Sequence, residues 1–175
     1  MTETSAPDTQ SGWAHRVGLI DLGTASPGVP GVLAETDRAA IHELFARYAI
    51  AYDERRMDIL RDCFTDDGVY QVQMGARVLA RFEGADQAVA GMGSVMQEQG
   101  AAQRRHLMTN VVLRPVGDGD VSAVAYAAVL VMSDGGPTLG AAAVYGATVA
   151  RLGGAWKFRH VTLGMDGYAG SAPTR

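Results

Sequence analysis

Cysteine is nearly absent: of 175 residues only Cys63 carries a thiol. A single cysteine excludes an intrachain disulfide framework and a thiolate zinc cluster. Basic runs are short, with no tract longer than the pairs Arg55-Arg56 and Arg104-Arg105, and the formal net charge is -4. Such a chain offers no stripe to hold a phosphate backbone, so nucleic acid is not an expected partner. No stretch supplies the roughly 18 apolar residues that spanning a bilayer needs. The polar start MTETSAPDTQSGWAHR lacks the apolar core of a secretory signal, which predicts a cytoplasmic protein with no membrane partner. No H-x-x-x-H, H-E-x-x-H or carboxylate-rich loop is present, and no metal is expected. Neither G-x-G-x-x-G after a strand nor G-x-x-x-x-G-K occurs, so no nucleotide cofactor is expected either.

What is present is apolar residues, 47% of the chain, with 22 glycines and charged residues at only 19%. These values describe a globular chain, long enough for one well-buried core and too short for two ordinary domains. Residues 1–34 are rich in Ser, Thr, Pro and Gly and read as a flexible or arm-like extension. Trp13, Val17, Leu19 and Ile20 within it are costly to leave in water. As an ordered arm they would pack on a neighbouring subunit or cover a pocket mouth.

From about residue 35 the pattern becomes regular. Thr36 or Asp37 is positioned to cap a helix in which Ile41, Leu44, Phe45, Tyr48 and Tyr52 recur at three- and four-residue steps. The segment MDILRDCF continues as a short second helix, and TDDG is a turn. Strands are expected over Val69 to Met74 and Arg77 to Phe82. EGADQAVAGMGSVMQEQG follows as a third helix, weakened by Gly91 and Gly93. Arg105 to Arg114, Val121 to Met132, Ala141 to Leu152 and Trp156 to Met165 then read as strands joined by hairpin-type turns, an antiparallel meander. Val121 to Met132 is apolar on both faces, more than three helices can cover. A concave inner surface around an apolar ligand, with an oligomer contact outside, satisfies both faces. A homodimer or homotrimer is therefore expected.

Two residues carry the chemical reading. Asp53 lies at the margin of the apolar helix face, after two tyrosines. It is either an ordinary exposed aspartate near a helix end or a partly buried carboxylate that needs a compensating donor. His106 opens a strand in which alternation places His106, Met108 and Asn110 on one face, the lining of a pocket or a structural cluster. Imidazole is the natural proton shuttle when an aspartate fixes its tautomer, so Asp53 and His106 form a candidate dyad. A phenol can polarise a carbonyl or hold an oxyanion, which brings in Tyr48, Tyr52, Tyr70, Tyr126 and Tyr145, although core tyrosines are common. Tyr48 precedes Asp53 by five residues, about 140° round the helix, and Tyr52 stands about 100° away. His160 reads as structural, and Cys63 as core packing.

The segments IHELFARYAIAYDERRMDILRDCFTDDGVY, FEG before the third helix, RRHLMTNVVL and the final sheet resemble the SnoaL-like branch of the nuclear-transport-factor-2-like superfamily. Scytalone dehydratase, the bile-acid dehydratases, hexachlorocyclohexane dehydrochlorinase, ketosteroid isomerases and polyketide cyclases are relatives. The resemblance spans residues 35–168, leaving 169–175 as a tail. It implies a cone-shaped α+β fold, three N-terminal helices packed on a curved antiparallel β-sheet that encloses an apolar pocket. In the dehydratase and dehydrochlorinase members an aspartate near the end of the first long helix orients a histidine that begins the strand after the third helix. Asp53 and His106 match these two. Tyr48 and Tyr52 match pocket tyrosines of the bile-acid enzymes and of scytalone dehydratase, and Tyr70 a further substrate-gripping one. The chain departs from the pattern between Ala125 and Val131, where only Tyr126 is polar and a second histidine or aspartate is missing.

The resemblance implies a cofactor-independent, dehydratase-like lyase acting on a small hydrophobic polyketide- or steroid-like molecule. Its expected catalytic residues are His106, Asp53, Tyr48 and Tyr52, and its expected substrate-binding residues are Tyr70, Met108, Asn110, Tyr126 and Tyr145. An isomerase or cyclase using the same dyad, and a non-catalytic binder, stay open beside it.

Overall fold

The computed structural model describes residues 12–22 and 33–168. Four helices are found among them: α1 (Trp13–Arg16), α2 (Glu35–Asp53), α3 (Met57–Asp62) and α4 (Ala85–Glu98). Six strands, β1 (Phe64–Met74), β2 (Arg77–Glu83), β3 (Arg104–Pro115), β4 (Val121–Ser133), β5 (Gly136–Leu152) and β6 (Ala155–Tyr168), form one sheet in the order β2-β1-β6-β5-β4-β3.

The α+β class holds, but the arrangement of three N-terminal helices on a curved antiparallel sheet is not the one found. Only two of the four helices are long, and α4 lies between β2 and β3 instead of ahead of the strands. The sheet is open and does not curve round into a cone, since β2 and β3 are its two edges and do not pair. It is also mixed, because β1 runs parallel to β6 from Val69↔His160 to Met74↔Met165. Local periodicity marks a strand but not its neighbour. A parallel partner about 90 residues away leaves no trace in either strand's own alternation.

Helix α2 buries Ile41, Leu44, Phe45, Tyr48, Ala51 and Tyr52, the stripe visible in the sequence. It begins slightly earlier than its capping residues suggest. Ala34 is the N-cap, and Asp37, instead of capping, accepts a hydrogen bond from Trp156 Nε1 (2.9 Å) and pairs with Arg151. Helix α2 packs on β3 and β6, α4 on β1 and β2. Between helices and sheet lies the main core, with Phe45, Tyr48, Phe64 and Phe158 nearly inaccessible and packed edge-on or tilted. Cys63 belongs to this core, and burial pushes its thiol up to about 11.

The opposite face has its own cover. Residues 12–22 pack against it, placing Ala14 and Leu19 on Val124 and Val144. Gly146 and Gly164 make this possible. A Cβ on Gly164 would stand 2.3 Å from Leu19 Cδ2 and 2.7 Å from a ring carbon of Trp13, and one on Gly146 would stand 2.6 Å from Leu19 Cδ1. Trp13 Nε1 also donates to Asp166. The described part of the extension therefore covers its own sheet. The rest of residues 1–34, and the tail 169–175, lie outside the described residues.

A valine at Gly164 suits a strand but displaces this segment. Gly164→Val is expected to speed amide hydrogen exchange across residues 13–20 while β4 and β5 keep their protection, at a cost of about 1–3 kcal/mol. Unchanged exchange across that segment would show that the glycine is not its socket.

Candidate functional site

The site starts where α2 ends. Asp53 is the last residue of the helix, and its carboxylate accepts two hydrogen bonds from one residue: His106 backbone N–H to Oδ2 (2.7 Å) and His106 Nδ1–H to Oδ1 (2.6 Å). Both side chains are more than nine-tenths buried, at 6% and 8% exposure. Asp53 is thus a buried carboxylate with compensating donors, not a solvated helix-end residue. Because a carboxylate only accepts, the contact assigns a ring proton to Nδ1 and leaves Nε2 as the nitrogen that Asp53 does not engage. Two further contacts tie the same helix end to β3. Gln103 Nε2 donates to the Asp53 carbonyl (3.0 Å), and Arg105 pairs with Glu54 (2.9 Å).

His106 lines a pocket of about 490 Å³ on the helix-covered face of the sheet, a volume suited to a small organic molecule. Every strand contributes: Tyr70 from β1, Phe82 from β2, His106 from β3, Val129 from β4, Tyr145 from β5 and Leu163 from β6. Tyr52 of α2 packs its ring on His106, with centroids 4.8 Å apart, and lines the pocket beside it. The opposite wall is α4, where the glycine that weakens the helix has a use. A Cβ on Gly91 would lie 2.4 Å from Phe82 Cζ, so the bare backbone lets the Phe82 ring lie against the helix, stacked on Tyr70.

The tyrosines divide. Tyr70 and Tyr145 face the pocket, and burial raises both above their ordinary value of 10.0, against a smaller lowering effect of the Tyr48 hydroxyl on each. They are hydrogen-bond donors at neutral pH. Tyr48 stands behind them, packed edge-on against Phe64, Tyr145 and Phe158 with its hydroxyl on Met92 Sδ (3.6 Å); it does not line the pocket.

Tyr126 lies on the other face, 45% exposed, in a cleft of about 810 Å³ formed with residues 12–22. Met108 shares the inward side of β3 with His106 but packs into the core. Asn110 is exposed with φ 54° at a bulge between Thr109 and Val112, where the strand's alternation breaks. The inserted residue moves Val111 and Leu113 to the inner side, so Asn110 does not join His106.

Among the expected site residues, the structure brings Asp53, His106, Tyr52, Tyr70 and Tyr145 together at the pocket, with Tyr48 behind. It sets Met108, Asn110 and Tyr126 elsewhere. His160 is also on the outer face, with Thr162 Oγ1 3.3 Å from its Nε2. Burial, then Arg81, lowers its pKa. Phe82 and Arg104 are pocket residues that sequence reasoning did not select. Alternation from His106 back along β3 would have indicated Arg104. Phe82 gave no signal, because a β2 edge-strand phenylalanine looks like any core residue. Among the described residues no group of three or more His, Cys, Asp or Glu is placed to hold a metal ion, and no helix is long and apolar enough to cross a membrane.

An open α+β sheet, a pocket under its helices and a buried His–Asp pair ringed by aromatics define the class of SnoaL-like, nuclear-transport-factor-2-like small-molecule-binding folds. The chain belongs to the SnoaL-like domain family, whose model matches residues 34–162. No curated protein matches the chain. Several solved structures share the fold. Aln2 from a Streptomyces species is 20% identical, with 77% of this chain and 94% of that one covered, at a TM-score of 0.69. A protein from Catenulispora acidiphila in complex with S-DNPA is 25% identical over 76% and 96%, at 0.66. ActVI-ORFA from Streptomyces coelicolor is 20% identical over 74% and 97%, also at 0.66.

Removing the carboxylate strands two His106 N–H groups in a buried place. Asp53→Ala is expected to cost about 2–4 kcal/mol of stability, read from urea unfolding. An unchanged midpoint would mean that the pair does not join α2 to β3.

Proposed function

We propose that this protein is a cofactor-independent, dehydratase-like lyase of the cytoplasm, acting on a small hydrophobic molecule of polyketide- or steroid-like size. The observation that carries the reading is the Asp53–His106 pair, with Nδ1 held at 2.6 Å and the other ring nitrogen left for the pocket. In this mechanism His106 Nε2 takes a proton from a carbon next to a substrate carbonyl, and Asp53 stabilises the imidazolium that results. The electron pair of the broken C–H bond moves onto the carbonyl oxygen, where Tyr70 and Tyr145 donate hydrogen bonds to the enolate. When the enolate collapses, a C=C bond forms and the β-hydroxyl leaves, taking the proton back from His106 as water. Tyr52 holds the imidazole from its flank. Tyr48, set behind the wall, acts by positioning Tyr145. The apolar lining keeps water away and strengthens each contact. The Catenulispora relative in complex with S-DNPA supports a small-molecule site on this fold.

One observation favours a second reading. Tyr126, the sole polar residue from Ala125 to Val131, faces the outer cleft, so β4 brings no acid or second base to the pocket. An isomerase or cyclase that needs one base and an enolate stabiliser fits this lining equally, and a non-catalytic binder needs only the cavity.

His106→Ala is expected to abolish turnover, by about 100-fold or more, while leaving the fold intact by circular dichroism. Full activity in that variant would remove the base. The product separates the classes: loss of water marks the lyase, and unchanged mass the isomerase or a non-dehydrating cyclase.

Leu107, Val112 and Tyr126 remain exposed on the outer face, which supports a homodimer or homotrimer contact there. Sedimentation at micromolar concentration is expected to give such an oligomer, and a monomer would overturn that part of the reading.

A further inference from the structure

Arg104 precedes His106 by two residues on β3 and lines the same pocket. Alternation sets both side chains on one side of the strand, about 7 Å apart along it. The arginine next to it is already committed: Arg105 points the other way and pairs with Glu54 at 2.9 Å. Arg104 is different. No carboxylate among the described residues forms an ion pair with it, and its guanidinium has only the Ala102 carbonyl, 3.2 Å from Nη1, as a hydrogen-bond acceptor among them.

Its remaining donors are not sealed in protein. The buried side-chain polar atoms without a partner among the described residues are Thr65 Oγ1 and Arg114 Nε, and none belongs to Arg104. Glu98 and Gln99 from the end of α4 share this end of the pocket. Glu98 is exposed to solvent, which screens its charge, and it makes no ion pair with Arg104. The rest of the wall is apolar and aromatic apart from the site's own His106 and tyrosine hydroxyls. A half-buried arginine that lines a largely apolar pocket and has no carboxylate partner among the described residues is complementary to a planar anion.

We infer that Arg104 is the anion-binding end of the pocket, and that the ligand is an apolar, ring-sized acid. Its carboxylate pairs with Arg104 and its carbon skeleton lies across His106. This rests on the pocket being a ligand site, as proposed above, and adds the chemical class of the ligand. The anchor fixes the distance between the acid group and the carbon presented to Nε2. A molecule of the same skeleton without the acid would bind less tightly and in more than one orientation.

Two fluorescent probes with a common aryl-naphthylamine body test the charge alone: the anionic anilinonaphthalenesulfonate and the neutral phenylnaphthylamine. Each is titrated against the unaltered protein, Arg104→Met and Arg105→Met, with circular dichroism to confirm folding. Both probes are expected to bind the unaltered protein. Arg104→Met should weaken the sulfonate about tenfold and leave the neutral probe within about twofold, while Arg105→Met changes neither. If Arg104→Met leaves sulfonate affinity unchanged, weakens both probes alike, or is matched by Arg105→Met, Arg104 is not the anion site, although the pocket stands. If neither probe binds the unaltered protein, the pocket reading itself fails, and the anion site with it.

Discussion

The Asp53 carboxylate grips both the backbone N–H and the ring Nδ1–H of His106, and that double hydrogen bond joins the end of α2 to the start of β3. Neither partner could be buried alone. A carboxylate without donors, or an imidazole and an amide without an acceptor, would cost several kcal/mol in so apolar a place. Paired, they set how far α2 reaches along the sheet, which tautomer the ring adopts and which nitrogen is left for the pocket. The structural and the chemical roles of Asp53 are one interaction.

Small residues decide what the rest of the sheet can hold. On the inner face Gly140, Ala141 and Ala143 of β5 occupy little volume, and Gly91 of α4 admits the tip of the Phe82 ring, so a pocket opens beside the filled core between helices and strands. On the outer face Gly146 and Gly164 receive Leu19 and Trp13. The same composition thus opens room for a ligand on one side and for the chain's own N-terminal segment on the other. A long strand apolar on both faces needs both arrangements, because the helices reach only one of them.

Much of this was legible from residue order. The stripe from Ile41 to Tyr52 and the strand signals of β4 and β6 appear where periodicity places them, within a few residues at their ends, while β5 begins at Gly136, five residues ahead of the expected Ala141. Asp53 and His106 were identifiable from their local settings, a charge on the margin of an apolar stripe and an imidazole that shares a strand face with Met108. Asn110 shows where such reading stops. Strict alternation puts it beside His106, but the bulge between Thr109 and Val112 inserts one residue and reverses the parity. His160 and Phe158 are separated in the same way by the irregularity opposite Thr148 and Val149. Tyr48 and Tyr145 look alike in sequence, yet one stands behind the wall and the other forms it.

By itself, then, the sequence determined the α+β class, the types of most elements, and the candidate pair Asp53 and His106. These follow from spacing along one segment, where solvent and core select residues at fixed periods. Only the tertiary structure decided the parallel β1–β6 pairing, the open sheet with β2 and β3 at its edges, and the company that His106 keeps. Those depend on contacts between segments far apart in the chain, and on single-residue bulges. Neither leaves a periodic mark, because the free energy that selects them comes from surfaces meeting after the elements have formed.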